Sequence, residues 1–133
     1  MSGTKAIFDS NAIILASKAI IDTEKLLLGS DSYYASIITF IEVYAYDFKE
    51  TAEKEIVDEI LGSIEIIELN QEIAEQAITY RKNKIKKIKL PDAVILATAK
   101  IIGADLITDN YRDFQNIDSS VNIRNLDQFN VQT

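Results

Sequence analysis

Asp9, Glu42, Asp92 and Asp113 lie far apart in the chain, each at a seam between apolar runs. The sequence contains no histidine and no cysteine. That removes disulfides, thiolate metal sites, cysteine nucleophiles, Ser-His-Asp triads and imidazole acid–base pairs. Carboxylate, lysine, tyrosine and hydroxyl chemistry remain, or a metal held by oxygen atoms. Carboxylates packed together repel and raise one another's pKa unless a cation compensates. An all-oxygen set of this kind suits Mg²⁺ or Mn²⁺. A cation held there lowers the pKa of bound water and stabilises charge on a phosphoryl oxygen.

Each acid also has a purely structural explanation. Asp9 follows a strand and precedes a helix, the place of an N-cap. Thr39 and Glu42 match a capping box. Asp92 follows Pro91 in a first helical turn, where negative charge suits the dipole. Asp113 lies in the polar run DNYRD, a turn composition.

The elements that must position these acids alternate. Strands are expected at 5–9, 33–37, 64–68 and 105–108, with a weaker one at 121–124. Helices are expected at 10–28 in two pieces, and at 39–48, 50–61, 71–86 and 91–102. Ile56, Val57, Ile60 and Leu61 share one helical face, as do Ile73, Ala77 and Tyr80. This order predicts an α/β domain: a central, mostly parallel sheet of about five strands flanked by helices. In such a sheet ligands bind beyond the carboxyl ends of the strands, where Asp9, Glu42, Asp92 and the Asp109/Asp113 pair all face one crevice. Gly29, Gly62 and Gly103 fall where helices should stop. None is left for a phosphate-cradling loop, so Walker and dinucleotide fingerprints are absent.

The 133 residues suit one domain spanning 1–133, and the absence of a long apolar run argues against a membrane span. The first residues lack the pattern of a secretion signal, so the expected location is the cytoplasm. The net charge of −7 opposes nucleic-acid binding on its face. Its distribution is uneven: Arg81, Lys82, Lys84, Lys86, Lys87 and Lys89 supply six of the fourteen basic residues, immediately before Asp92. That run reads either as a solvated helix end complementing the dipole or as a phosphate-gripping rim beside an acidic site.

The run LPDAVILATAKIIGADLITDNYRDF, residues 90–114, resembles the C-terminal signature of PIN domains, in particular VapC-type toxin ribonucleases. FDSNAII at 8–14 is similar to the family's first strand and its Asp, and SIITFIEVYAY at 36–46 to its second motif. The three matches come in family order and span nearly the whole chain. The resemblance implies a compact PIN-like sheet and Mg²⁺- or Mn²⁺-dependent hydrolysis of RNA phosphodiesters, leaving a 5′-phosphate. It assigns Asp9, Glu42, Asp92 and Asp113 to the acidic site. Many relatives carry Asp where this chain has Asn110, so the fourth ligand stays open between Asp109 and Asp113, with Asn110 a neutral contributor. Asn11, Thr39 and Thr108 are then expected to orient the ligands by hydrogen bonds. The resemblance also implies an RNA substrate, a cognate antitoxin and a homodimer. The stretch with Phe40, Val43, Tyr44, Tyr46 and Phe48 offers either such a surface or core.

Two other readings compete. A strand ending in Asp also opens aspartyl-phosphate phosphatases and phosphoacceptor domains. The phosphatases need a second Asp two residues on, where this chain has Asn11, and phosphoacceptor domains lack the PDA-type helix. A non-catalytic binding module that keeps the PIN fold is the other, and Asn110 gives it room.

Overall fold

A computed structural model describes residues 3–129 of the chain. Its elements run β1 (Lys5–Phe8), α1 (Ser10–Ser17), α2 (Thr23–Leu26), β2 (Ser32–Ser36), α3 (Ile37–Tyr44), α4 (Thr51–Gly62), β3 (Glu65–Ile67), α5 (Gln71–Arg81), α6 (Leu90–Ile102), β4 (Asp105–Thr108), α7 (Tyr111–Phe114) and β5 (Ile123–Asn125). A 3-10 helix, Leu126–Phe129, follows. The strands form one sheet in the order β3-β2-β1-β4-β5, and every pairing is parallel.

The two-residue period of β1 divides the core. Ala6 and Phe8 face one side, with Ala12, Ile13 and Ala16 of α1 and Val57, Ile60 and Leu61 of α4. Ile7 faces the other, with Leu106 of β4, Ile73, Ala77 and Tyr80 of α5, and the buried run of α6. That run, Ala93 to Ala99, is buried on every side of the helix, which its AVILATA sequence permits because no residue in it is charged. A parallel sheet covered on both faces has no room for polar side chains except at the strand ends. Among the described residues no helix is long and apolar enough to cross a membrane.

The strands and helices fall close to the positions read from the sequence, with four corrections. The helix expected over 71–86 stops at Arg81, and residues 82–89 form a connection before α6. Asn83 bends it by accepting from the backbone amides of Ile85 and Lys86. The capping box at Thr39 and Glu42 does not form, because α3 begins earlier. Ser36 is its N-cap and accepts from the Ile38 amide. Thr39 instead lies buried inside α3, its hydroxyl 3.4 Å from the Phe8 carbonyl. Asp113 sits in the short helix α7 rather than in an irregular turn.

The glycines are the fourth correction. Only Gly103 takes the left-handed conformation expected after a helix, with φ of 72°. Gly62 is still the last residue of α4, and the left-handed residue after α1 is Ala19. The aromatic stretch divides as well. Val43 is buried, Tyr44 and Phe48 pack on the first core cluster, and Tyr46 stacks on Phe48 at 5.0 Å. Phe40 and Ile41 remain 37% and 57% exposed.

The two glycines give opposite expectations. A Cβ at Gly103 meets no atom within 4 Å, so Gly103→Ala is opposed by backbone strain alone, and should lose about 1 kcal/mol. A Cβ at Gly62 is equally unobstructed and its backbone is right-handed, so Gly62→Ala should gain roughly 0.5 kcal/mol. Urea melts of the two variants check the sign of each.

Candidate active site

The chain winds outward from β1 through β2 to β3, then returns to place β4 on the other side of β1. The strand order therefore reverses between β1 and β4, and helices leaving their carboxyl ends part there. Asp9 follows β1 at this point. Its backbone amide donates to the Ile107 carbonyl of β4 at 3.0 Å, continuing the sheet by one bond. Its side chain is only 3% exposed. Oδ1 accepts from the Ser10 amide at 2.7 Å, capping α1, and Oδ2 accepts from the Thr108 hydroxyl at 2.8 Å. The Thr108 oxygen in turn accepts from the Asn110 amide at 2.9 Å, which fixes the start of the turn into α7.

The remaining acids surround Asp9 from four elements. Glu42 projects from α3, Asp92 from the first turn of α6, and Asp109 and Asp113 from the turn after β4 and from α7. Asn11 donates to Asp109 Oδ1 at 3.3 Å. Burial pushes the Asp9 carboxyl above its ordinary value; the bonds from Thr108 and Ser10 oppose the rise, while Asp109 and Glu42 add to it. Asp92 is pushed up to about 6, first by burial and then by the charges of Asp9, Asp113 and Glu42, with Lys89 opposing. All five carboxylates thus belong to one electrostatic cluster. Of the residues expected to orient them, Asn11 and Thr108 bond to acidic side chains, whereas Thr39 reaches only the Phe8 backbone.

One member was not foreseen. The Ser10 hydroxyl stands 3.1 Å from Glu42 Oε1 and 3.4 Å from Asp9 Oδ1, and its single proton serves one of them at a time. It therefore links the buried acid to the exposed one. The only cue in the sequence is its place directly after Asp9, which an ordinary first-turn serine shares.

The basic run divides around the site. Lys89 is the N-cap residue of α6 and its charge reaches Asp92. Lys84 and Lys87 are exposed on the connection. Arg81 donates to the Ile88 carbonyl at 2.7 Å. Together with Lys82 it borders an apolar groove between α5 and α6 that no acidic residue lines. Lys86 is half-buried and donates to the backbone carbonyls of Arg112 and, at 2.6 Å, Gln115.

The donor set suits a hard divalent cation in kind: five carboxylates, one of them buried, with no softer ligand available. Oδ2 of Asp9 keeps a lone pair after its bond from Thr108, and Oδ1 keeps one when the Ser10 hydroxyl turns to Glu42. Among the described residues, however, no three acidic groups already converge as a ligand shell. The acids form an open ring whose mutual repulsion a cation would relieve. Beside it, Asp109, Asn110, Tyr111, Arg112, Asp113 and Asn125 line a concavity of ≈ 410 Å³.

Comparison with known proteins bears on this arrangement. A curated-sequence comparison finds no match. Among solved structures, a toxin–antitoxin complex from Klebsiella pneumoniae contains a chain 34% identical to this one. The match covers 87% of this chain and 94% of that one, with a TM-score of 0.73. VapBC2 from Rickettsia felis, bound to a DNA fragment from its promoter, matches at 22% identity over 93% of this chain and 100% of its own, with a TM-score of 0.76. DNA-bound VapBC from Salmonella typhimurium matches at 21% over 92% and 98%, with a TM-score of 0.77. The last two speak to the fold. The family model of the PIN domain matches residues 6–119, from β1, which leads into Asp9, past the helix that carries Asp113. With every acid of the ring inside that span, this chain belongs to the PIN domain family.

Proposed function

We propose that the chain is a metal-dependent endoribonuclease of the VapC type, the toxin of a type II toxin–antitoxin pair. The observation that carries the reading is the set of four carboxylates around buried Asp9, at the point where the strand order reverses. Asp9, Asp92 and the Asp109/Asp113 pair hold Mg²⁺ or Mn²⁺, with Glu42 binding directly or through water. The bound cation supplies charge for the phosphoryl oxygens and acidifies water. The residues of the chain do the positioning: Thr108 and the Ser10 amide hold Asp9 in one orientation, Asn11 holds Asp109, and the Ser10 hydroxyl spans Asp9 and Glu42. The overall acidity repels RNA, so a local positive surface must guide it. Lys84, Lys87 and Lys89 are the members of the basic run best placed for this. The structural likeness to toxin–antitoxin complexes supports a cognate antitoxin as partner, and a homodimer and a cytoplasmic site of action complete the proposal.

The open ring and Asn110 favour one second reading, a PIN-fold module that binds without cleaving. The phosphoaspartate reading is disfavoured, because Asn11 stands where the phosphatases need a second Asp and the PIN family model spans residues 6–119.

The decisive measurement is cleavage of a mixed RNA pool with Mn²⁺ or Mg²⁺ and with chelator. Wild type should cleave only with metal, and Asp9→Asn and Asp92→Asn should each lose at least about a hundredfold in rate while remaining folded. Metal-dependent binding without cleavage would favour the second reading.

Asp92 also sets a stability expectation. Its folded pKa is raised, so the folded state binds the proton more tightly than the unfolded chain does. Stability therefore falls as pH rises from near 3.8 through about 6. Without metal, Asp92→Asn should equal wild type near pH 4. At pH 7 it should exceed it by ~1–2 kcal/mol, a figure reduced for the partial exposure of the group. Added Mn²⁺ should raise the Tm of wild type and not that of Asp92→Asn. Thermal melts across pH, with and without Mn²⁺, test both.

The guiding lysines predict a salt effect. Lys84→Ala with Lys87→Ala should weaken RNA binding and lower the slope of log K against log salt by roughly 0.7 per lost contact. Binding titrations at several salt concentrations measure it, and an unchanged slope would mark these residues as merely solvated.

A further inference from the structure

Helix α7 has four residues, too few to be stable by their own hydrogen bonds, yet it carries Asp113 of the acidic ring. It packs on α6 and β5, and two side chains hold it there. Phe114 is fully buried in the second core cluster and anchors one side. The second contact is the Lys86 ammonium, which donates to the carbonyls of Arg112 and Gln115 at the helix's end, where carbonyls lack helical partners.

The connection from α5 to α6 is shaped to deliver this ammonium. Asn83 folds its first half by accepting from the amides of Ile85 and Lys86, at 2.9 and 3.0 Å. Arg81 ties its second half by donating to the Ile88 carbonyl. Between these two fastenings Lys86 alone points inward, while Lys84 and Lys87 stand exposed. A lysine serving only to meet phosphate has no use for such an arrangement, because both of its acceptors are carbonyls of the chain's own backbone.

We propose that Lys86 is a positioning residue: its ammonium clasps the end of α7 and thereby sets the Asp113 carboxylate beside Asp92. The clasp stands on the structure alone, and its catalytic consequence rests on the nuclease reading. It separates Lys86 from Lys84 and Lys87, which face solvent, from Lys89 at the α6 N-terminus, and from Arg81, which bonds within its own connection.

The test is amide hydrogen exchange on the full chain, comparing wild type, Lys86→Met, Lys86→Arg and Lys84→Met. The reporters are the Asp113 amide, bonded to the Asn110 carbonyl, and the Gln115 amide, bonded to Tyr111. In Lys86→Met both should exchange at least about tenfold faster, while the Ala93 amide at the start of α6 stays within about twofold. Lys86→Arg should restore most of the protection, and Lys84→Met should leave it unchanged. Unaltered exchange at α7 overturns the proposal, and so does uniform loss of protection across the chain. RNA cleavage supplies the second arm. Lys86→Met should lower kcat by about tenfold with KM and the salt slope unchanged. A raised KM with a flatter salt slope and unchanged kcat would make Lys86 a phosphate contact and overturn the clasp. If wild type cleaves no RNA, the nuclease reading falls, and the exchange arm still decides whether Lys86 holds α7.

Discussion

The hydrogen bond from the Thr108 hydroxyl to Asp9 joins the ends of β1 and β4, and the acidic site is organised around it. It lies where the chain reverses its direction of travel across the sheet, the one place in this topology where two neighbouring strands send their helices apart. A carboxylate there is enclosed by backbone on two sides. Its charge is held by a hydroxyl and an amide instead of water, which fixes its direction and raises the energy of any other negative charge nearby. Glu42, Asp92, Asp109 and Asp113 are placed relative to this fixed point.

The supporting elements differ in rigidity, and the difference follows from their cores. Asp92 rides on α6, a helix buried through its middle, started by Pro91 and stopped by Gly103. Its carboxylate is held by the most deeply buried helix of the domain. Asp113 rides on four residues that depend on Phe114 and Lys86. Glu42 is exposed on α3 and meets the buried acid through the Ser10 hydroxyl. One arm of the ring is thus rigid, one is clasped from outside and one is loosely linked.

Charge is partitioned to match. The acids converge on the carboxyl edge of the sheet, and the basic run borders that edge along the connection into α6. This gives a protein of net charge −7 a local positive margin beside its most negative region. The margin is not uniform, since one of its lysines is consumed in holding the site together.

The sequence by itself determined the alternation of strands and helices, the parallel sheet and the places of Asp9, Asp92 and Asp109 at strand or helix ends. These follow from local physics: apolar periodicity, Pro91 opening α6 and Gly103 closing it, and Asp9 standing where a strand gives way to a helix. Only the tertiary structure decided what depends on distant partners. Thr39 and Glu42 look like a capping box in isolation, yet Ser36 starts the helix and Thr39 is drawn into the core beneath β1. Periodicity carries α5 on to residue 86, but Asn83 offers the backbone a competing turn and the chain leaves the helix at Arg81. Lys86 cannot be told from its neighbours in the run, because its carbonyl partners lie 26 and 29 residues away. A spacing rule sees only neighbours along the chain, and the site is assembled from residues as much as 99 positions apart that meet only when β4 docks beside β1.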